Sequence, residues 1–220
     1  MKTSFIIVSL LVGAISATPI AVKIRQSTRV SITENEYTQG GCKPIILFFA
    51  RGSTEIGNMG STVGPPTGEG LKKAFGANNV AVEGIDYQAG IGTNLLPGGA
   101  ELAGIQEMKA LFQDAAAKCP TSALVGVGYS QGAALCHRAI EDLPATVKSQ
   151  IAGVVTYGDT QNTQDRGQIP NFAKDKTLVI CNPGDAVCTG VLTILPAHLD
   201  YVKRVPEAVA FLTTKIKAAQ

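Results

Sequence analysis

Tryptophan is absent, histidine occurs only twice, and aromatic residues make up 5% of the 220-residue chain. So few stacking side chains argue against a carbohydrate-binding platform, although five Tyr remain for one. Charge is sparse as well: 16% of residues are charged, the net charge is +2, and the basic residues are scattered. No electrostatic stripe for nucleic acid can be built from these, and a neutral or greasy partner fits better. No Asn-x-Ser/Thr site is present, so N-glycosylation is not expected. Repeats, Ser/Pro-rich linkers and long charge runs are missing too, which leaves one domain of about 200 residues with a substantial core.

Long apolar runs are missing beyond the N-terminus. Residues 1–17 carry Lys2, the apolar run Ser4 to Val12, and then the small residues Gly13, Ala14, Ser16 and Ala17. That is the order of a secretory signal peptide, with cleavage expected near Ser16 or Ala17. The run falls short of the about 20 apolar residues that span a bilayer, and no later segment is long enough. A secreted, extracellular protein without a transmembrane segment is therefore expected. Residues 18–40 are polar and aperiodic, which reads as a pro-segment or flexible N-terminal arm with Arg25 as a candidate processing point. The single domain then occupies residues 41–220.

Five cysteines behind such a leader imply disulfides and one thiol left over. Cys181 and Cys188 enclose the tight turn CNPGDAVC and are expected partners. Cys136 falls inside a helix expected to be buried, so it is read as the free thiol, and Cys42 is paired with Cys119.

Five runs rich in Val, Ile, Leu or Phe read as strands: 44–50, 80–85, 122–128, 151–157 and 177–181. Their near-continuous apolarity suggests cover on both faces. Helical patterns fill 66–75, 99–117, 131–142 and 204–218; in the second, Leu102, Ile105, Met108, Phe112 and Ala116 recur every three or four residues. Strand alternating with helix predicts an α/β class fold, a three-layer α/β/α sandwich around a mainly parallel five-stranded sheet. In such a sheet ligands gather beyond the carboxyl ends of the strands. ARGSTE, GYSQG, GDTQN and NPGD all follow strands.

Gly128-Tyr129-Ser130-Gln131-Gly132 matches GxSxG at an expected strand-to-helix turn, the arrangement that lifts a nucleophilic serine. A plain glycine turn is the alternative, and placement between VGVG and an amphipathic helix argues against it. A serine hydroxyl needs a base. His137 lies on the same helix, about 10 Å along its axis from Ser130, and cannot reach it; it reads as a surface or capping residue. His198, beyond the last strand, remains as the base. Asp159 and Asp185 both qualify as the orienting acid. Asp185 is preferred because the Cys181–Cys188 loop gives it a rigid mount, whereas Asp159 reads as a turn former or helix cap. Oxyanion donors are expected from the Gln131 N–H and from Ser53 in the loop after the first strand. For that loop the alternative is an ordinary Gly-Ser turn with an Arg51–Glu55 salt bridge.

ARGSTE, GYSQGAAL and CNPGDAVCTG, followed by His198, resemble the fungal cutinase family in order and spacing over roughly residues 40–218. The resemblance implies a compact, lidless esterase of the α/β-hydrolase type. It makes Ser130, Asp185 and His198 the catalytic triad and Ser53 with Gln131 the oxyanion hole. It also places Asn94, in GTNLLPG, behind the Ser53 side chain, and it implies the same two disulfides. Acetylxylan esterases are relatives of that family, so a carbohydrate acetyl esterase is one alternative; a secreted elicitor or binding protein on the same fold is another.

Ile91 and Leu95 flank Asn94, while Leu192, Ile194, Leu195 and Leu199 flank His198. Core burial is the plain alternative for each. Together they are expected to form two greasy lips suited to insoluble polyester or lipid-like esters. Neither metal nor cofactor is implied, and a monomer is expected.

Overall fold

The computed structural model describes residues 27–220, so the expected signal peptide and residues 18–26 of the arm lie outside the described residues. One sheet holds β1 (Ile45–Ala50), β2 (Val80–Gly84), β3 (Ala123–Tyr129), β4 (Ile151–Tyr157) and β5 (Thr177–Ile180). Its order is β2-β1-β3-β4-β5 and every neighbouring pair is parallel. The α-helices are α1 (Glu36–Gly40), α2 (Gly64–Phe75), α3 (Leu102–Lys118), α4 (Gln131–Glu141), α5 (Ala145–Gln150) and α6 (Val205–Ala219).

The unbroken apolarity of β1 follows from cover on both sides. Ile45, Leu47 and Phe49 pack with Leu71 of α2 and with Leu212 and Ile216 of α6. Ile46 and Phe48 point the other way, toward Met108 and Phe112 of α3 and Leu135 of α4. This period of two is what a strand between two helical layers requires. The result is a three-layer α/β/α sandwich of the lidless α/β-hydrolase type. Phe48 is wholly buried, edge-on to Phe112 at 4.7 Å; burial of that size contributes about 1.5–3 kcal/mol.

Local chemistry sets the helix boundaries. Pro65 and Pro66 open α2 at its first positions, where a missing N–H costs nothing, so the helix begins earlier than its periodicity suggests. The helix expected from residue 99 starts only at Leu102, because Gly98 and Gly99 adopt φ of 87° and 79°. Helices α1 and α5, five and six residues long, are too short to show a period.

Part of the expected flexible arm is packed onto the domain instead. Val30 and Tyr37 are buried, and the Glu83 carboxylate accepts the backbone N–H groups of Tyr37 and Thr38. Apolar anchors hidden among polar neighbours explain why no period is visible there.

Disulfides join Cys42 to Cys119 and Cys181 to Cys188. The first closes a separation of 77 residues and ties the start of β1 to the end of α3; on the chain-entropy model it stabilises by about 4 kcal/mol. Among the described residues no helix is long and apolar enough to cross a membrane.

The strand order positions the site. The chain leaves β1 outward to β2, then returns to place β3 on the other side of β1, so the order reverses between β1 and β3. Ala50 pairs in register with Gly128, which brings the loop after β1 beside the turn after β3. Crevices at such reversal points, beyond the carboxyl ends of strands, are where open parallel sheets bind ligands.

Candidate active site

Ser130 is the single residue between β3 and α4, with φ 55° and ψ −117°. A non-glycine residue rarely adopts this conformation, and its cost persists only where the surroundings impose it. The Ser130 N–H donates to Tyr157 O at 2.9 Å, fixing the turn against the end of β4. Gly132 makes the approach possible: a Cβ there would stand 2.0 Å from the Ala50 carbonyl oxygen.

The two residues expected to act with Ser130 converge on it. His198, in a short turn over Pro196–Leu199, places Nε2 2.9 Å from Ser130 Oγ and Nδ1 2.8 Å from Asp185 Oδ2. Ser130, His198 and Asp185 are all buried. Asp185 lies inside the loop closed by Cys181–Cys188, and its Oδ1 accepts the Val187 N–H at 3.0 Å. A hydroxyl, an imidazole and a carboxylate in hydrogen-bonded series can activate the hydroxyl as a nucleophile.

Two residues support this series in ways that their motifs do not announce. The Tyr129 ring stacks on the imidazole at 5.5 Å, and its hydroxyl donates to the His198 carbonyl at 2.8 Å. Burial, with Glu55 and Asp185 nearby, pushes the Tyr129 phenol above its ordinary range, so it remains a donor. Gly158 has φ 53°, and a Cβ there would lie 2.8 Å from His198 Cε1. A Tyr at the end of β3 and a Gly just after β4 read as ordinary structure until the fold brings them beside the imidazole.

Across the cleft, Asn94 Nδ2 donates to Ser53 Oγ at 2.9 Å and to Ile91 O at 2.8 Å. Gln131 is the first residue of α4, directly after Ser130, so its N–H has no acceptor within the helix. The Gln131 side chain adds an unforeseen tie: Nε2 donates to Gly90 O at 2.9 Å and to Thr93 Oγ1 at 2.7 Å, anchoring the loop that carries Asn94.

The Arg51–Glu55 salt bridge does not form. Arg51 Nε donates to the backbone carbonyl of Glu55, and its guanidinium reaches Ile85 O and Tyr87 O. The Glu55 carboxylate instead accepts the N–H groups of Gly52, Ser61 and Thr62, clamping the loop around Ser53. Backbone donors left free by the turn outcompete a guanidinium that has carbonyls within reach.

A cleft of about 510 Å³ opens over Ser130 and His198. Ile91, Leu95, Leu192, Ile194 and Leu199 line it. Leu195 is exposed but outside the lining. All six aliphatics expected at the rim are exposed, from 39% for Leu195 to 81% for Leu95, so none is a core residue.

His137 is neither a surface nor a capping residue. It is wholly buried, with Nε2 2.9 Å from Asp159 Oδ2 and Nδ1 2.7 Å from Asp165 Oδ2. Burial alone would lower its pKa, but the two carboxylates outweigh that and raise it to about 9. Asp159 also accepts the Gln161 N–H at 2.8 Å, a turn-forming bond, and its partner His137 holds its carboxyl below the usual range against the opposing cost of burial. Asp165 has no sequence signal pointing to this bridge. The free Cys136 is buried with Sγ 3.8 Å from Met108 Sδ, and burial pushes its thiol up, as suits an inert core residue. Among the described residues no cluster of His, Cys, Asp or Glu could hold a metal ion.

Comparison with known proteins agrees with this architecture. A sequence model described as cutinase matches residues 41–216. The chain is 46% identical over 208 residues to "Cutinase CUT2" of Pyricularia oryzae, covering 94% of this chain and 96% of that one. It is 42% identical to "Cutinase 1" of Fusarium vanettenii, covering 98% and 97%. Among solved structures, a Trichoderma reesei cutinase in complex with a phosphonate inhibitor superposes with a TM-score of 0.75 at 34% identity, covering 84% of this chain and 80% of that one. The catalytic core domain of acetyl xylan esterase from Trichoderma reesei gives 0.61 at 20% identity, covering 79% and 99%, a likeness of fold alone. With the match spanning the whole sheet and the cleft, the chain belongs to the cutinase family of carboxylic ester hydrolases.

Proposed function

We propose that the protein is a secreted serine esterase in which Ser130 is the nucleophile, His198 the general base and Asp185 the acid that orients it, acting on cutin-like polyesters and on short to medium acyl esters. In the first step Ser130 Oγ attacks the ester carbonyl as His198 Nε2 takes its proton. The oxyanion that develops is held by the Gln131 N–H and by Ser53, whose side chain Asn94 orients. His198 returns the proton to the leaving alkoxide, and an acyl-enzyme remains on Ser130. Water, deprotonated by the same imidazole, then attacks the acyl carbonyl and frees the acid. Asp185 keeps the imidazole in the tautomer with its proton on Nδ1 and stabilises the imidazolium that forms.

The observation that carries the substrate reading is the exposure of Ile91, Leu95, Leu192, Ile194 and Leu199 around the cleft. Apolar side chains left in water beside a nucleophile favour an acyl chain or polyester surface over an acetylated sugar. Two disulfides support an oxidising, extracellular location, in keeping with the leader-like N-terminal sequence.

Rates on p-nitrophenyl esters from acetate to octanoate, measured beside acetylated xylan and a cutin-like polyester film, test this reading. Butyrate or longer should outpace acetate, and the film should release acid while xylan does not. Preference for acetate together with release from xylan would overturn it.

A further inference from the structure

Asp185 has one more partner than the orientation of an imidazole requires. Its Oδ2 accepts both from His198 Nδ1 at 2.8 Å and from the Tyr201 hydroxyl at 2.6 Å. The second distance lies in the range of charge-assisted O–H···O⁻ bonds. Tyr201 is wholly buried, its ring edge-on to Tyr129, Tyr157 and the imidazole. Its oxygen accepts the Asn182 N–H at 2.9 Å, so the phenol is held from one side and donates toward the carboxylate on the other. Burial first, and the bond to Asp185 next, push the phenol's titration upward, leaving it a donor at any working pH. Asn182 reinforces the same junction. Its amide donates to Ala197 O at 2.8 Å and Asp200 O at 3.2 Å, the carbonyls on either side of His198.

We infer that Tyr201 is a positioning residue for the ester hydrolysis: its hydroxyl shares Asp185 Oδ2 with the imidazole, fixing where the carboxylate stands and how strongly it pulls on His198. The inference rests on the roles proposed above for Ser130, His198 and Asp185. Without the phenol, Oδ2 has a single donor, and the carboxylate is held only by the imidazole on that oxygen and by the Val187 N–H on Oδ1, so its orientation is less firmly fixed. Its charge, no longer shared, attracts the proton on Nδ1 more strongly and makes the imidazole a tighter proton holder. The turnover rate then falls because orientation loosens, and the acid limb of the pH–rate profile moves to higher pH. The other titratable or charged groups around this junction are Tyr129 against the imidazole, Tyr157 against Tyr201, Glu55 across the cleft and Arg204 on Asn182. All of them stay in place when only the hydroxyl is removed.

The test is Tyr201→Phe, which keeps the ring, with kcat normalised to sites titrated by a fluorophosphonate. The expected result is a loss of about tenfold in kcat with KM within about twofold, and an acid limb displaced upward by about half a pH unit. In an Asp185→Asn background the same substitution should add little, since the acceptor charge is already gone. A wild-type kcat with an unmoved limb in Tyr201→Phe overturns the inference, as does a second full loss in the Asp185→Asn background. If Tyr201→Phe does not fold, 3-fluorotyrosine at position 201 supplies a stronger donor on the same ring and should move the acid limb to lower pH; an unmoved limb overturns the inference. The proposed triad fails separately: Asp185→Asn as active as wild type refutes that reading whatever happens at Tyr201.

Discussion

Two histidines are present, both buried and both hydrogen-bonded to aspartate, yet their surroundings suit them to opposite tasks. His198 has a carboxylate on Nδ1 only and presents Nε2 to the Ser130 hydroxyl at the floor of the cleft. His137 has a carboxylate on each nitrogen, Asp159 on one and Asp165 on the other. A base needs a free lone pair, and one carboxylate leaves it free whereas two draw protons onto both nitrogens. Burial beside an acid is therefore no mark of catalysis. What counts is what the second nitrogen meets.

The comparison breaks if the two histidines prove interchangeable in their effects. The largest difference expected is in turnover: His198→Ala should lose about 10⁴-fold or more in kcat on a soluble ester, while His137→Ala, measured per titrated serine, stays within about threefold of wild type. Next in size is Ser53→Ala, with a loss of about a hundredfold in kcat and little change in KM if its side chain helps hold the oxyanion. A near-wild-type kcat would remove Ser53 from the site.

Stability should show the reverse ranking. Removing His137 leaves the buried Asp159 without its cation, while Asp165 keeps Arg138, and breaking a buried pair this way costs about 3–5 kcal/mol. Thermal unfolding of His137→Ala should therefore fall by roughly 10 °C. A smaller effect distinguishes them by pH. The folded protein raises the His137 pKa to about 9, against about 6.5 in an unfolded chain. The native state thus binds the proton more tightly. The stabilisation is fully present below about pH 6.5 and is lost as pH rises through about 9. Wild-type Tm should decline over that window, and His137→Ala should show less of that decline.

The contrast between the histidines also marks what the sequence makes legible. Strand and helix patterns were readable because the periods of two and three to four are physical consequences of burying one face, and the parallel sheet followed from their alternation. Ser130 and His198 can be paired from sequence because histidine is rare: one lies on the serine's own helix, which leaves the other, and Asp185 is preferred over Asp159 for its mount in the Cys181–Cys188 loop. The same reasoning makes His137 a surface or capping residue, because its neighbours Asp159 and Asp165 come from a loop 22 and 28 residues away and carry no pattern. Tyr201 carries no signal for the same reason, and Glu55 reads from sequence only as a partner for Arg51. A phenol that reaches a carboxylate and a carboxylate that caps backbone N–H groups depend on loop paths, which no periodicity records. The packed segment around Val30 and Tyr37 shows the same limit, since two isolated anchors make no period.

The central claim is most directly tested by mass spectrometry of the protein after treatment with a fluorophosphonate ester, which phosphonylates activated serines with loss of fluoride. One adduct per chain is expected, mapped to the peptide containing Ser130, with hydrolysis lost in proportion and with labelling abolished in His198→Ala. An adduct on another residue accompanied by loss of activity, or undiminished labelling of Ser130 in His198→Ala, would contradict the account.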